Sequence, residues 1–209
     1  MRKWKDTNVN EMYVFFALMM LNAYNKKRDM KQQWSTDPLL HSPIFGRTMP
    51  RDRFFSILSM LHFSNNAQNS DIPGDRLYKV REVISKIKKE FTHMFLPFEN
   101  LVIDESMVLF KGRLIFKQYI KTKRHRFGIK LFVLCDCETG YILDYIVYTG
   151  SQTEIDHVET LGVTGSVVTT LMKPYLNKGH TLYTDNYYTS PTLSVYLRNR
   201  KTNSCGTVR

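Results

Sequence analysis

The hydrophobic period of this 209-residue chain changes near Leu101, and that change limits the architectures open to it. Upstream, apolar residues recur at helical spacing: Met12, Phe15, Phe16, Met19 and Ala23, then Phe54, Ile57, Leu58 and Leu61, then Leu77, Val80, Ile84, Ile87 and Phe91. Downstream, short runs rich in apolar and β-branched residues take over: Leu101–Phe110, Gly128–Cys135, Tyr141–Tyr148 and His180–Asp185. A helical region to about residue 98 is therefore expected, followed by a sheet-containing domain over 99–209.

Local punctuation refines this reading. Asn8 followed by Glu11 has the form of a capping box and predicts a helix from about Val9 to Tyr24. Trp34 through Pro43 reads as a loop, and a helix begins after Thr48 with Pro50 in its first turn. The polar stretch Ser64–Gly74 reads as a loop, after which Asp75 is expected to cap a helix carrying Lys79, Arg81, Lys86, Lys88 and Lys89 on its outer face. Between the second and third strands, Asp136–Gly140 forms a turn in which Gly140 supplies a positive φ. A helix after Gly165 turns Val168, Leu171, Met172 and Tyr175 inward and ends at Asn177-Lys178-Gly179; Ser190-Pro191 starts another, with Leu193, Tyr196 and Leu197 inward. Cys205–Arg209 reads as the start of one more strand. The order strand, strand, strand, helix, strand, helix, strand defines an α/β fold with a mixed sheet, the order of the ribonuclease-H-like fold, incomplete at its C-terminal end.

With 30 Lys and Arg against 19 Asp and Glu, the chain carries a net charge of +11 and a pI near 9.6. Clustered cations bind polyanions by releasing condensed counterions, so nucleic acid is the first partner to consider, although membrane surfaces and heparin share that chemistry. No run approaches the roughly 20 apolar residues that cross a bilayer, and Met12–Leu21 is too short and lacks a signal-cleavage pattern. Cys135, Cys137 and Cys205 cannot all pair, which favours a reducing compartment, and Cys135-Asp136-Cys137 reads as small residues at a strand end rather than a zinc site.

Two aspartates stand out against this background. Asp104 interrupts the apolar run Leu101–Phe110, and Asp185 closes His180–Asp185. A carboxylate in a strand costs stability unless it is paired or holds a cation. Hard divalent ions such as Mg²⁺ or Mn²⁺ take oxygen ligands, and such ions promote in-line displacement at phosphorus, so the pair suggests metal-dependent chemistry on phosphodiesters. An Asp at a strand end is also an ordinary turn former or helix cap. Glu105 should point to the opposite face from Asp104, Asp136 and Asp144 flank a turn where Asp is common, and His157 with Glu154 and Asp156 reads as a solvated loop.

Asp104-Glu-Ser-Met107, Phe110-Lys-Gly-Arg113, Lys117-Gln-Tyr-Ile120, Phe127-Gly-Ile-Lys130, Thr139-Gly-Tyr141 and Tyr148-Thr-Gly150 resemble the transposase domain of the piggyBac family. Asp185-Asn-Tyr-Tyr-Thr-Ser190 and Gly206-Thr-Val-Arg209 are similar to its second acidic block and the strand beyond. Trp34-Ser-Thr-Asp37, Met49-Pro-Arg-Asp-Arg-Phe54 and Leu61-His-Phe-Ser-Asn65 resemble its dimerisation and DNA-binding region. The resemblance implies a cut-and-paste DDE/D transposase of the nucleus, homodimeric when complete, that acts at TTAA sites with Mg²⁺ or Mn²⁺. It makes Asp104 and Asp185 the first two metal ligands, and no matching motif here supplies the third aspartate or a cysteine-rich zinc module. The chain by itself is accordingly expected to be inactive; a non-enzymatic DNA-binding protein that keeps the fold is the alternative.

The implied partner is DNA rather than a membrane or a small-molecule substrate. Its candidate contacts are Lys111, Arg113, Lys117, Lys121, Lys123, Arg124, Arg126 and Lys130, with His125 among them and Phe116, Tyr119 and Phe127 interleaved. The same stretch also reads as a charged surface hairpin with its aromatics in the core. Lys123-Arg124 stands where the family often has Lys-Pro, so the loop is expected to bend differently.

Overall fold

The computed structural model describes residues 4–65, 74–121, 123 and 126–207. Most of the polar loop expected at 64–74, Arg124 and His125, and the final Val208 and Arg209 lie outside the described residues. The chain divides into two compact units, Met1–Phe63 and Ser64–Arg209.

The first unit is helical. Helix α1 spans Val9–Tyr24, with the Asn8 side chain accepting from Glu11 N–H at 2.9 Å as the capping pattern predicts. A 3₁₀ turn at Met30–Trp34 follows, then α2 at Pro43–Thr48 and α3 at Arg51–Met60. The short α2 was not foreseen, since its six residues carry no period a sequence reading can register. Phe15, Leu18, Phe45, Met49, Phe54 and Ile57 form the core. The Trp34 ring packs on Phe45 and Phe54 at 5.3 and 4.9 Å, and its Nε1–H donates to the Met49 carbonyl at 2.7 Å, which satisfies its one polar atom. Buried Gln33 is held likewise, donating to Asn22 Oδ1 at 2.9 Å and to the Asn25 carbonyl.

The second unit opens with helix α4, Arg81–Met94. It begins later than predicted: Val80, not Asp75, is its N-cap. The Asp75 carboxylate instead accepts from Leu77 N–H at 2.8 Å and pairs with Arg81. The hydrogen bond from Arg81 outweighs burial and, with that from Leu77, holds Asp75 below the usual carboxylate range. Strands β1 (Asn100–Leu109), β2 (Gln118–Tyr119), β3 (Phe127–Asp136) and β4 (Ile142–Val147) are followed by α5 (Gly162–Met172), β5 (Thr181–Thr184), α6 (Pro191–Arg198) and β6 (Asn203–Gly206). The predicted order is present; the two-residue β2 is an addition, and the last strand starts at Asn203 rather than Cys205.

All six strands join one mixed sheet of order β2-β3-β1-β5-β6, with β4 on the edge of β3 that also carries β2. β3 runs antiparallel to β1 and β4, while β5 and β6 run parallel to β1. One face is packed: Leu101, Ile103, Phe132, Leu134 and Leu182 meet Val167, Val168 and Leu171 of α5 and Leu193 and Leu197 of α6. On the other face α4 covers β4, with Phe91 against Tyr141 and Tyr145 at 6.1 and 6.3 Å and Lys88 paired to Asp144 at 2.9 Å. The sequence placed this helix with the N-terminal region because its spacing matches the preceding ones; the chain instead parts after Phe63.

Two turn residues fix the edges. Gly140 has φ of 70°, as predicted. Asp136 is buried and accepts from Phe98 N–H, Glu138 N–H, Thr139 N–H and Thr139 Oγ1–H at 2.8 to 3.1 Å. Burial works against its charge, and these four hydrogen bonds outweigh it, so its pKa is depressed. Asp136 is the organiser of the β3–β4 turn.

Candidate active site

After β1, the chain forms β3 and β4 on one side and then crosses through α5 to β5 on the other side. Ligands of open α/β sheets sit beyond the carboxyl ends of strands at such a reversal. Parallel pairing of β1 with β5 ends at Ile103 opposite Thr184. Asp104 is the next residue of β1 and Asp185 the first residue past β5, so the fold brings together two carboxylates that are far apart in sequence.

Both are exposed, and each engages one oxygen locally: Asp104 Oδ1 accepts from Glu105 N–H at 2.7 Å, and Asp185 Oδ1 from Tyr187 N–H at 3.1 Å. Their Oδ2 atoms make no hydrogen bond with the described residues. Two unengaged hard oxygens on one sheet end fit a divalent cation that completes its shell with water or phosphate oxygen. Among the described residues no group of three or more His, Cys, Asp and Glu stands ready to enclose one.

Glu105, the adjacent acid, faces the other way, as strand alternation requires. Its Oε1 pairs with Lys130 Nζ at 2.8 Å. That ammonium lies 4.8, 5.9 and 5.1 Å from the ring centroids of Phe132, Tyr148 and Tyr187. Lys130, a predicted phosphate contact, is thus caged and charge-paired. Tyr188 is buried against Phe132, and its hydroxyl has no hydrogen-bond partner among the described residues; burial first, then the charges of Glu105, Asp185 and Asp104, raise its pKa steeply. On the opposite face, Asp104 borders an apolar trough of about 500 Å³ with Val102, Val133 and Cys135 in its floor. Burial pushes the Cys135 thiol up, and all three cysteines are free.

The other predicted cations fall on the connection from β1 to β3. Lys111, Arg113, Lys121 and Arg126 are exposed, and Lys117 donates to the Gly112 carbonyl at 3.0 Å. Lys123 Nζ donates to the Glu105 carbonyl at 3.3 Å, which fastens the β2–β3 loop to β1 one residue from Asp104. Of the interleaved aromatics, Phe116 is buried, whereas Tyr119 and Phe127 stack across β2 and β3 at 4.7 Å and stay 55% and 51% exposed. The structure therefore divides between the core reading and the contact reading for these rings. Tyr187 and the cage around Lys130 escaped the sequence reading; Tyr187-Tyr188 immediately after Asp185 was the available signal.

This mixed sheet, with one carboxylate midway along β1 and the other just past the end of the neighbouring β5, defines a ribonuclease-H-like domain of the DDE class. The chain belongs to the transposase family described as Transposase IS4, whose profile matches residues 1–209, and within it to the piggyBac-derived group. It is 33% identical over 205 residues to human PiggyBac transposable element-derived protein 3, covering 96% of this chain and 34% of that protein. Human PiggyBac transposable element-derived protein 2 is 29% identical over 207 residues, covering 95% of this chain and 33% of the relative. The cryo-EM structure of a piggyBac transposase synaptic complex with hairpin DNA superposes with a TM-score of 0.87 at 29% identity, over 100% of this chain and 44% of that one. The chain thus spans about a third of the length of these curated relatives.

Proposed function

We infer that this chain contributes the first two metal-ligating carboxylates and a DNA-contact hairpin to cut-and-paste DNA transposition. The observation that carries the reading is the juxtaposition of Asp104, midway along β1, with Asp185, just past the end of β5. Asp104 and Asp185 would hold Mg²⁺ or Mn²⁺, which when bound supplies charge neutralisation at a phosphoryl group and a more acidic water or hydroxyl. The exposed Lys111, Arg113, Lys121 and Arg126, with the half-buried Lys117 and Lys123, would lay the phosphate backbone beside that pair, and Tyr119 with Phe127 offers a stacking surface. The solved relative bound to hairpin DNA supports DNA as the partner. Homodimerisation, TTAA targeting and a nuclear location belong to the same proposal.

A second reading applies to these 209 residues alone: DNA binding without strand transfer. It is favoured by Glu105, the carboxylate nearest Asp104 in sequence, being held by Lys130 on the other face. The test is binding and cleavage of hairpin-ended DNA with Mn²⁺ or Mg²⁺. Salt-sensitive binding without cleavage is expected; cleavage abolished by Asp104→Ala would overturn the second reading, and no binding at physiological salt would overturn both.

A further inference from the structure

Two loops meet where the parallel strands β5 and β6 begin, at the end of the sheet remote from Asp185. One leads from α5 into β5 and carries Lys178; the other leads from the end of α6 into β6 and carries Arg198, Arg200 and Lys201. Asn177 N–H donates to the Arg200 carbonyl at 2.8 Å, and Asn203 N–H to the His180 carbonyl at 2.9 Å, so the loops are fastened to each other. We propose that these four cations form a second DNA-contact surface, which holds the phosphate backbone of a duplex other than the one lying against Asp104 and Asp185. The inference rests on the DNA reading above and adds a second duplex to it.

Charge, rigidity and position carry the proposal. None of the four cations forms an ion pair with a described carboxylate, whereas Lys86, Lys88, Lys130 and Lys173 of the same unit are each paired at 2.6 to 2.9 Å. Clustered cations without internal partners gain most from displacing the counterions of a polyanion. Lys178, Arg198 and Lys201 are exposed, and the Arg200 guanidinium lies 3.6 Å from the centroid of the Tyr196 ring. That stack fixes its orientation and leaves a planar set of N–H donors of the kind that matches phosphate oxygens. The backbone is fixed as well. Asn177 at φ 64° and Lys201 at φ 50° are the only non-glycine residues of positive φ among the described residues, and each belongs to one of the two loops. A Cβ disfavours that conformation, yet Lys201 is held in it by its N–H to the Arg198 carbonyl at 3.0 Å and by Thr202 N–H to the Leu197 carbonyl at 3.1 Å. The stretches Asn177–Gly179 and Arg198–Lys201 carry no apolar side chain, so a peptide finds no anchor in them, while sequence-independent phosphate contact needs none. Strand β5, about 13 Å long at the usual rise, runs from this surface to Asp185, so the two surfaces stand at opposite ends of the sheet. A short duplex is a stiff rod, with a persistence length of about 150 bp, and does not turn from one end to the other.

The test is lysine-acetylation footprinting of the 209-residue chain titrated with a short blunt duplex, read by mass spectrometry alongside anisotropy. Lys121 should be protected by the first equivalent of duplex and Lys178 with Lys201 only by a second, while Lys86, paired to Glu82, stays reactive throughout. Lys178→Gln combined with Arg198→Gln and Lys201→Asn should weaken the second step about tenfold or more and leave the first unchanged. Asn suits the left-handed backbone at 201, and Arg200 is kept so that its stack on Tyr196 is undisturbed. Lys178 and Lys201 remaining reactive at saturation would overturn the second surface and leave the DNA reading standing. Protection of all three lysines by the first equivalent would do the same, because one duplex would then cover both ends. Protection of Lys178 and Lys201 by polyglutamate as efficiently as by duplex would reassign the surface to an acidic protein segment. Absence of all salt-sensitive DNA binding would remove the parent reading and this one with it.

Discussion

Glu105 Oε1 lies 2.8 Å from Lys130 Nζ, on the face of the sheet opposite Asp104. This ion pair separates two carboxylates adjacent in sequence into different roles. Glu105 is neutralised against β3, while the Oδ2 of Asp104 makes no hydrogen bond with the described residues. Neighbouring acids in a strand cannot share one site, because successive side chains point to opposite faces.

Metal binding should follow that division. Asp104→Asn and Asp185→Asn are each expected to weaken Mn²⁺ affinity roughly tenfold or more, and Glu105→Gln to leave it little changed. Titration followed by the electron paramagnetic resonance of free Mn²⁺ measures this. Equal loss in Glu105→Gln would contradict the assignment.

The connection from β1 to β3 should govern the salt dependence of DNA binding. Each phosphate contact removed by Lys121→Gln, Lys123→Gln or Arg126→Gln is expected to flatten the slope of log affinity against log salt by about 0.9. Lys130→Gln should not change that slope, because its charge is already paired. Its cost should appear as lower stability, since it leaves Glu105 without a partner.

Asp136 should matter for folding and not for chemistry. Asp136→Ala removes four hydrogen bonds from a buried turn and is expected to cost about 2–4 kcal/mol, read as a lower urea midpoint. Asp136→Asn should cost less, because Oδ1 can still accept from Glu138 and Thr139.

Acid should loosen the helical unit through Glu11. Its hydrogen bonds to Arg53, first, with a weaker opposing burial effect, hold its pKa at about 2 against an ordinary 4.5. The folded value is depressed, so the pair's contribution is full above about pH 4.5 and is lost as pH falls toward 2. After allowance for solvent screening that contribution is on the order of 1–2 kcal/mol. Urea unfolding of wild type against Glu11→Gln should show the wild-type advantage at pH 7 shrinking steadily below pH 4.5. A constant difference across that window would argue against the linkage.

The sequence by itself determined the kinds of element and their order. Alternation and helical spacing are local consequences of backbone geometry, so α1, β1, β3, β4, β5 and α6 were legible near their observed bounds, whereas α5 ends at Met172, short of the expected Asn177–Gly179. Strand chemistry drew attention to Asp104 and Asp185, because a carboxylate is disfavoured there, and the motif resemblance separately implied their role. Tertiary structure alone decided the rest. It placed α4 on the sheet, where Phe91 finds Tyr141 and Tyr145, although its spacing matches the earlier helices. It also withdrew Lys130 into a ring of aromatics and built a cavity from β3, the connection between β4 and α5, α5 itself and the turn after Asp185. Burial and charge pairing depend on which distant segments meet, and that information lies in the register between β1, β3 and β5 rather than in any one stretch of chain.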